Sequence, residues 1–302
     1  MSAPLSLIGV LLACSLSAAE VCPQPTTVRK HTPTLDEVLP SDRTCCEYMQ
    51  TFVESGAEPT RYIPGALHEY YSLWNTTRIK YLFFDNRYAG GKAMVSNWTG
   101  DMLDEMVIQA KTGNAQSNYP GCIPESIAPA IYAYPVKGKR GCVIGSETPW
   151  LEALLLASGA EHITTIEYGA INSEHPQLRT LTPEGLRDEF MRGELEPFDF
   201  CFSYSSLEHS GLGRYGDRLE PFGDLEMIAR IRCMLKPLAK FYFGVPTSDT
   251  DCLEFNAHRV YGPRRLDIIG VQGGWRPLDT FGPVGRGCEW AKQPVHVLQR
   301  RD

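Results

Sequence analysis

The feature that most constrains the fold is a change of hydrophobic pattern at residue 141. From there the sequence reads GCVIGSETPWLEALLLASGA, a short apolar run that ends at Gly145, then a turn and a second apolar run that stops at Gly159. A buried parallel strand followed by a helix has this pattern. Pro149 suits the first turn of that helix, and Gly159 suits its end. A second apolar segment, HITTIEY, follows closely, so the sequence predicts a βαβ unit.

The alternation continues as far as residue 246. EGLRDEFMRGEL predicts a helix, FDFCFSYS a strand, LEMIARIRCMLK an amphipathic helix and KFYFGVP a further strand. Strands that alternate with helices predict an α/β fold with a doubly wound sheet. In such sheets ligands bind at the carboxyl ends of the strands, beside the point where strand order reverses. The candidate site therefore lies at the ends of the first, second and fourth strands.

Composition narrows the class of protein. The 302 residues are 43% hydrophobic and 22% charged, which is ordinary for a globular protein, and the formal net charge of -7 argues against a nucleic-acid partner. We predict four segments: a signal peptide at 1–19, an N-terminal extension at 20–135, a Rossmann-like domain at 136–290 and a C-terminal tail at 291–302.

The start of the chain predicts entry into the secretory pathway. The apolar stretch in MSAPLSLIGVLLACSLSAAE is shorter than the roughly 20 residues of a bilayer span, and Ser17 and Ala19 suit a cleavage site after Ala19. No Lys or Arg precedes the stretch, so the alternatives are a disordered or buried apolar start and a short signal anchor. We expect no stable membrane span. Asn75 and Asn97 begin Asn-x-Thr triplets, which predict N-glycosylation in a secreted or lumenal protein.

Cysteine usage agrees with an oxidising compartment. Of the 10 Cys, we expect Cys142, Cys201 and Cys233 to be buried thiols because they fall in apolar strand or helix positions. Six others lie in polar, turn-rich surroundings and are predicted to form three disulfides that tie a mixed N-terminal extension: Cys22, Cys45, Cys46, Cys122, Cys252 and Cys288. No Cys or His cluster has zinc-ligand spacing, so no metal is predicted.

Glu167 is the first candidate for ligand binding. It ends the second predicted strand, roughly 20 residues after Gly145, where an acidic side chain can accept both ribose hydroxyls of a nucleoside. The alternative is a solvated loop carboxylate.

Two later segments resemble a known superfamily. FDFCFSYSSLEHS resembles the fourth-strand motif of class I S-adenosylmethionine-dependent methyltransferases, with Asp199 opening the strand and Leu207, Glu208 and His209 following it. LEMIARIRCMLKPLAKFYFGVP resembles that superfamily's Arg-x-Leu-Lys-Pro-Gly-Gly segment. Over residues 136–285 the chain is similar to a methyltransferase-like family expanded in nematodes, domain of unknown function 268.

This resemblance implies a Rossmann-like methyltransferase fold and S-adenosylmethionine as the cofactor. The implied cofactor-binding residues lie at the strand ends: Gly145, Ser146, Glu147, Glu167 and Ser205. His209 and Glu208 are the catalytic candidates, since a histidine of near-neutral pKa can deprotonate a hydroxyl. The alternative is that both residues organise the loop by hydrogen bonds.

The first turn departs from the superfamily pattern, acid-x-Gly-x-Gly-x-Gly. Val143 holds the acidic position, Gly145 alone remains of the glycines, and Glu147 and Pro149 replace the other two. Pro149 removes an amide donor, and Glu147 adds a carboxylate where a cofactor carboxylate would lie. The cofactor is therefore bound in a modified way or the site has been lost.

The acceptor is predicted from the segment NAHRVYG, which is rich in polar groups. We expect it to bind a hydroxylated or anionic small molecule or glycan, with Arg259 as the anchor. The acceptor-binding candidates are Asn256, His258, Arg259 and Tyr261. A capping loop without ligand is the alternative.

The leading prediction is therefore methyl transfer from S-adenosylmethionine to a small-molecule or glycan hydroxyl. The second hypothesis is a non-catalytic binding module on a methyltransferase-like fold. A third, a nucleotide-sugar glycosyltransferase, rests only on the marginal metal motif at residues 249–251.

Overall fold

A computed structural model of the protein describes Leu39 and residues 43–52, 57–87, 95–271 and 273–301. The predicted signal peptide and Cys22 lie outside these residues. The strands are β1 (Arg78–Leu82), β2 (Val95–Trp98), β3 (Arg140–Ile144), β4 (His162–Ile166), β5 (Ala170–Ser173), β6 (Leu178–Leu181), β7 (Phe198–Tyr204), β8 (Leu235–Gly244), β9 (Cys252–Asn256), β10 (His258–Val260), β11 (Trp275–Phe281) and β12 (Val295–Arg300). The α-helices are α1 (Cys45–Gln50), α2 (His68–Tyr71), α3 (Gly100–Lys111), α4 (Ala128–Ala133), α5 (Trp150–Ala157), α6 (Pro183–Met191), α7 (Gly223–Met234) and α8 (Pro263–Val271).

The central sheet has seven strands in the order β11-β12-β8-β7-β3-β4-β6. β12 runs antiparallel to both of its neighbours, and the other pairs are parallel. Strand order proceeds outward from β3 in both directions, so the reversal point lies between β3 and β7. The predicted doubly wound, Rossmann-like α/β fold is confirmed, as are the strands and helices predicted from residue 141 to residue 246.

Both faces of this sheet are covered by helices. Side chains alternate along each strand, so each strand contributes to a buried cluster on either face. In β3, Cys142 and Ile144 belong to a buried cluster that includes Ile228 of α7. Val143 belongs to the opposite cluster, which includes Leu155 of α5. Helix α5 is apolar on most sides and buried along nearly its whole length, and Gly159, with φ +88°, ends it.

The N-terminal segment pairs with later parts of the chain. β1 lies parallel to β9 in a three-stranded sheet with β10, and β2 lies parallel to β5. The predicted boundary near residue 136 stays a prediction. The C-terminal tail predicted at 291–302 is wrong, because this segment contains β12, which inserts between β8 and β11. Val295 and Val297 of β12 are fully buried, and this burial holds the strand in the sheet.

Disulfides connect distant elements. Cys45 of α1 is bonded to Cys233 of α7, and Cys252 of β9 is bonded to Cys288. Cys46 is also disulfide-bonded. The prediction of a free thiol at Cys233 is therefore wrong.

The three other cysteines in the described ranges are free and buried. Cys142 and Cys201 are the thiols that were predicted. Cys122 was expected to form a disulfide and does not. It packs in the cluster under α5 and lies 3.2 Å from the Ser117 hydroxyl. Among the described residues, no helix has the length and apolarity needed to cross a membrane.

Candidate active site

A cavity of about 160 Å³ opens where β3, β4 and β7 end. This is the reversal point of the sheet. All five predicted cofactor-binding residues line the cavity: Gly145, Ser146, Glu147, Glu167 and Ser205. His209 lines it as well. Glu208 lies behind the wall and is 1% exposed. The N-terminal segment contributes Tyr119 to the wall, a residue that the sequence analysis missed.

The turn after β3 requires the glycine that it retains. Gly145 has φ +74°, in the left-handed region. A Cβ atom at this position would lie 1.9 Å from the Ser206 hydroxyl oxygen. Gly145 therefore allows the turn to approach the loop that follows β7.

Glu167 is held at the end of β4 by two backbone amides. Ser146 N donates to Glu167 Oε2 at 2.8 Å, and Tyr168 N donates to Oε1 at 2.7 Å. Burial raises the pKa of Glu167, and these amide bonds act in the opposite direction. The Gly169 amide also bonds this carboxylate, so three of its roughly four acceptor positions are used. Glu167 can therefore accept a hydroxyl group from a ligand while its orientation stays fixed.

A second carboxyl group, which the sequence analysis missed, lies under the same turn. Glu152 of α5 is fully buried; its Oε1 accepts from the Thr165 hydroxyl at 2.7 Å. The Ser146 hydroxyl lies 3.0 Å from both Glu152 Oε2 and the Thr148 carbonyl oxygen, and its single proton can serve only one of them. A protonated Glu152 resolves this conflict by donating to Ser146. Burial raises the pKa of Glu152 to about 7, which agrees with a proton on this group near neutral pH.

His209 is neutral in this environment. Its Nδ1 lies 2.6 Å from the Ala257 carbonyl oxygen, which can only accept, so Nδ1 carries the proton and Nε2 is an acceptor. Burial, assisted by the charge of Arg214, lowers the pKa of His209 to about 3. Such a histidine is a weak base at neutral pH. The geometry favours the loop-organising role of His209 over the role of general base.

Burial shifts the pKa of Glu208 in the opposite direction from that of His209. Its Oε1 accepts from the Ser205 hydroxyl at 2.9 Å, and its Oε2 is buried without a hydrogen-bond partner among the described residues. Burial raises the pKa of Glu208 to about 7. This carboxyl group can therefore gain and lose a proton near neutral pH.

The predicted acceptor anchor is corrected by the structure. Arg259 is 2% exposed and does not line the cavity. Its guanidinium donates to four backbone carbonyls, those of Glu208, Ser210, Glu220 and Pro221. Arg259 therefore holds the loop after β7 from behind, and this bonding explains its burial.

The other acceptor candidates also lie away from the cavity. Tyr261 is buried and donates to Asp224 Oδ2 at 2.7 Å, and Asn256 is buried and bonds both backbone groups of Phe84. His258 lies 3.7 Å from Glu254 Oε2. The four candidates belong to β9, β10 and the turn after them, so the predicted acceptor loop is part of the interior.

The carboxylates on the cavity wall are not balanced by basic side chains. Glu147, Glu167 and Asp217 line it, and no Lys or Arg does so within the described ranges. Glu147 is exposed and makes no hydrogen bond or ion pair with any described residue. Asp217 accepts from Gly211 N at 2.7 Å, and burial raises its pKa. In the described part of the chain, no group of three or more His, Cys, Asp or Glu is placed to hold a metal ion.

Both predicted glycosylation sites are exposed. Asn75 lies in a turn with φ +61°. Asn97 lies on β2, and its Oδ1 accepts from the Asn172 amide at 2.9 Å. The Asn97 Nδ2 atom, to which a glycan would be attached, is not used in that bond.

Comparison with known proteins confirms the family resemblance. Residues 138–286 match the model of the family described as Caenorhabditis protein of unknown function, DUF268. No curated protein matches the chain.

Solved structures of low sequence identity resemble the chain. One is 1,6-didemethyltoxoflavin-N1-methyltransferase from Burkholderia thailandensis, at 15% identity and TM-score 0.44, covering 67% of this chain and 88% of that one. A second is a putative hemolysin from Streptococcus thermophilus, at 14% identity and TM-score 0.43, covering 62% and 69%. A third is a putative S-adenosylmethionine-dependent methyltransferase from Listeria monocytogenes, at 10% identity and TM-score 0.41, covering 59% and 98%. At such identities and scores these likenesses carry no argument about activity.

Proposed function

We propose that this protein, with its DUF268 segment at residues 138–286, transfers a methyl group from S-adenosylmethionine to a hydroxyl group of a small molecule or glycan. One observation carries the proposal: the predicted cofactor-binding residues come from three separate strand ends and meet in one cavity. S-adenosylmethionine, when bound, supplies an electrophilic methyl group on a sulfonium.

The residues present fit a nucleoside in this cavity. Glu167 keeps an acceptor position for a ribose hydroxyl, and the amides of Ser146 and Tyr168 keep the carboxylate oriented. The backbone amide of Glu147 donates to no group in the described part of the chain, so it is available to a ligand. Ser146 then acts through Glu167 rather than by contact of its own amide with the cofactor.

The acidic wall restricts the acceptor. Because no cationic side chain lines the described part of the cavity and Arg259 lies elsewhere, an anionic acceptor has no partner there. Tyr119, Ser205 and His209 Nε2 offer uncharged hydrogen-bonding groups. A neutral hydroxylated acceptor fits these groups better than the anionic acceptor that the sequence suggested.

Calorimetric titration of the folded glycoprotein with S-adenosylmethionine and S-adenosylhomocysteine tests the proposal. We expect both to bind and Glu167→Gln to weaken the binding about 10–100-fold, since a hydrogen bond to a charged group contributes about 1.5–3 kcal/mol. Glu161→Gln is the matched control, because Glu161 is exposed and directly precedes β4 at the end of the strand opposite to Glu167. Absence of binding to the wild-type protein would overturn the proposal.

One observation favours a second candidate function, a non-catalytic binding module. The unpaired Glu147 carboxylate stands where the superfamily has a glycine, and it would repel a cofactor carboxylate. Under this alternative the wild-type protein binds no methyl donor and Glu147→Gly gains binding. Under methyl transfer both proteins bind.

The secretory location is part of the proposal. It is supported by the Cys45–Cys233 and Cys252–Cys288 disulfides and by the exposure of Asn75 and Asn97. Enzymatic removal of N-glycans from protein made in a eukaryotic secretory host should lower its mass, and Asn75→Gln with Asn97→Gln should abolish that difference. An unchanged mass in the wild-type protein would refute glycosylation.

A further inference from the structure

Ser205 connects the cavity with the protein interior. It directly follows β7 and lines the cavity. Its φ is +56°, a backbone conformation that residues other than glycine rarely adopt. Its amide donates to the Gly244 carbonyl oxygen at 2.8 Å, which fixes the backbone. The hydroxyl is therefore held in one place at the cavity wall.

Behind Ser205 lies a carboxyl group with unused bonding capacity. Ser205 Oγ lies 2.9 Å from Glu208 Oε1, and Glu208 is 1% exposed. Glu208 Oε2 is buried and has no hydrogen-bond partner in the part of the chain that the structure describes. A buried carboxylate with an orphaned oxygen is costly unless it takes up a proton. Among the described groups, Ser205 is the hydroxyl that bonds this carboxyl and also lines the cavity.

We propose that Ser205 passes the proton of the acceptor hydroxyl from the cavity to Glu208. The proposal rests on the proposed function. The acceptor O–H bond breaks as its proton moves to Ser205 Oγ, and the Ser205 proton moves to Glu208 Oε1. The acceptor oxygen becomes the nucleophile and the carboxylate becomes a carboxylic acid. After the product leaves, Glu208 returns the proton to solvent through Ser205.

The charges around Glu208 suit this exchange. Burial raises the pKa of Glu208 to about 7, the charge of Arg214 acts downward and that of Asp224 upward. His209 Nε2 lies 3.7 Å from Glu208 Oε1, and the low pKa of His209 keeps it neutral. Near neutral pH Glu208 can therefore exist both as the carboxylate, which accepts a proton, and as the carboxylic acid, which releases one. His209 cannot exchange a proton in this range.

Tyr119 extends the connection on the cavity side. Its ring lies beside Ser205 and meets the Tyr204 ring at a centroid distance of 5.4 Å. Burial raises the pKa of the Tyr119 phenol, so it remains a donor. A phenol donor next to Ser205 can orient the acceptor oxygen toward the serine hydroxyl.

Infrared spectroscopy of the carboxyl groups across pH 5–9, recorded without methyl donor, tests the proposal. The wild-type protein should show protonated carboxyl absorption that disappears near pH 7, to which Glu152 and Glu208 both contribute. The Glu208 part should be missing in Glu208→Gln, and the Glu152 part should remain. Ser205→Ala keeps the backbone constraint but removes the hydroxyl donor, so the Glu208 titration should move up by about one pH unit. Ser205→Gly, which also relieves the positive φ, should give the same shift. Ser210→Ala, a change of another cavity serine, should leave the titration unchanged.

The outcomes are decisive in each direction. A Glu208 titration that stays at the wild-type pH in Ser205→Ala and Ser205→Gly would overturn the proposal, as would a Glu208→Gln spectrum identical to that of wild type. If Glu208→Gln does not fold, as judged by near-ultraviolet circular dichroism, the serine variants decide alone. Donor binding is measured separately by calorimetry. Loss of donor binding with an intact titration shift would refute the proposed function and leave the Ser205–Glu208 exchange standing.

Discussion

The two sides of the cavity use their polar groups in opposite ways. On one side is the glycine turn, residues 145–149, whose Ser146 amide is consumed in holding Glu167. On the other is the serine loop, residues 205–217. Here Glu208 Oε2 has no hydrogen-bond partner within the described ranges, and His209 Nε2 is an acceptor. The departures at Val143, Glu147 and Pro149 fall on the side that is predicted to bind the cofactor. The side that would handle the acceptor proton retains free bonding capacity.

The supports of the two sides differ as well. The serine loop is held by a cationic group, Arg259, whose guanidinium donates to loop carbonyls and lies 3.5 Å from Asp224 Oδ1. The glycine turn rests on Glu152, which is protonated near neutral pH if the Ser146 hydrogen bonds are to be satisfied. We therefore expect the support of the serine loop by Arg259 to be independent of pH and the support of the glycine turn by Glu152 to depend on pH.

The largest expected effect comes from removing the support of the serine loop. Arg259→Leu leaves Asp224 with one fewer cation and leaves buried loop carbonyls without their hydrogen-bond donor. We therefore expect a loss of about 3–5 kcal/mol in the free energy of unfolding. Arg264→Leu, a change of an exposed arginine nearby, should stay within about 0.5 kcal/mol of wild type. Chemical denaturation measures both. Equal losses in the two variants would show that the loop does not depend on Arg259.

The next effect should appear in the pH dependence of stability. Burial raises the folded pKa of Glu152 to about 7 from an ordinary value of 4.5. Its contribution to stability is therefore fully present below pH 4.5 and is lost as pH rises through 7, by at most about 3 kcal/mol. Glu152→Gln should remove this part of the decline when unfolding is measured from pH 4.5 to pH 8.

Glu208→Gln gives the comparison for the serine loop, because the pKa of Glu208 is raised to the same value. A stability curve of Glu152→Gln that parallels the wild-type curve would contradict the protonated Glu152. Curves that flatten in both variants would assign the decline to both sides of the cavity.

The smallest of the three effects concerns the contact between the two sides. Gly145→Ala and Gly113→Ala both place a side chain at positive φ, but the space around Gly113 is open, whereas Ser206 lies against Gly145. We expect Gly145→Ala to cost about 1–3 kcal/mol more than Gly113→Ala, the range for overpacking. Ser206→Gly should recover most of that difference. Equal costs for the two alanine variants would mean that the sides do not touch in solution.

The sequence predicted the parallel core and the meeting of Gly145, Glu167 and Ser205, because local periodicity and the strand-end rule determine both. It did not predict β12 as an inserted strand, since its six residues follow a polar segment and carry a weak pattern. Glu152 could have been predicted as a buried carboxyl, because it is the single acidic residue in the apolar run WLEALLLA. The sequence predicted Arg259 as a ligand anchor because it lies in a polar segment. Its actual partners are backbone carbonyls of a distant loop, and no sequence pattern indicates them.

The pairing of β1 with β9 has a consequence for the order of synthesis. Arg78 of β1 lies opposite Cys252 of β9, so β1 lacks its partner until more than half of the chain has followed it from the ribosome. During that interval the segment around Asn75 cannot have its final pairing, whereas Asn97 of β2 waits only for β5. In a cell that makes this protein in the secretory pathway, we expect both asparagines to be offered to the glycosylation machinery as an open polypeptide. Sugar would then be attached before the wall of the cavity is built.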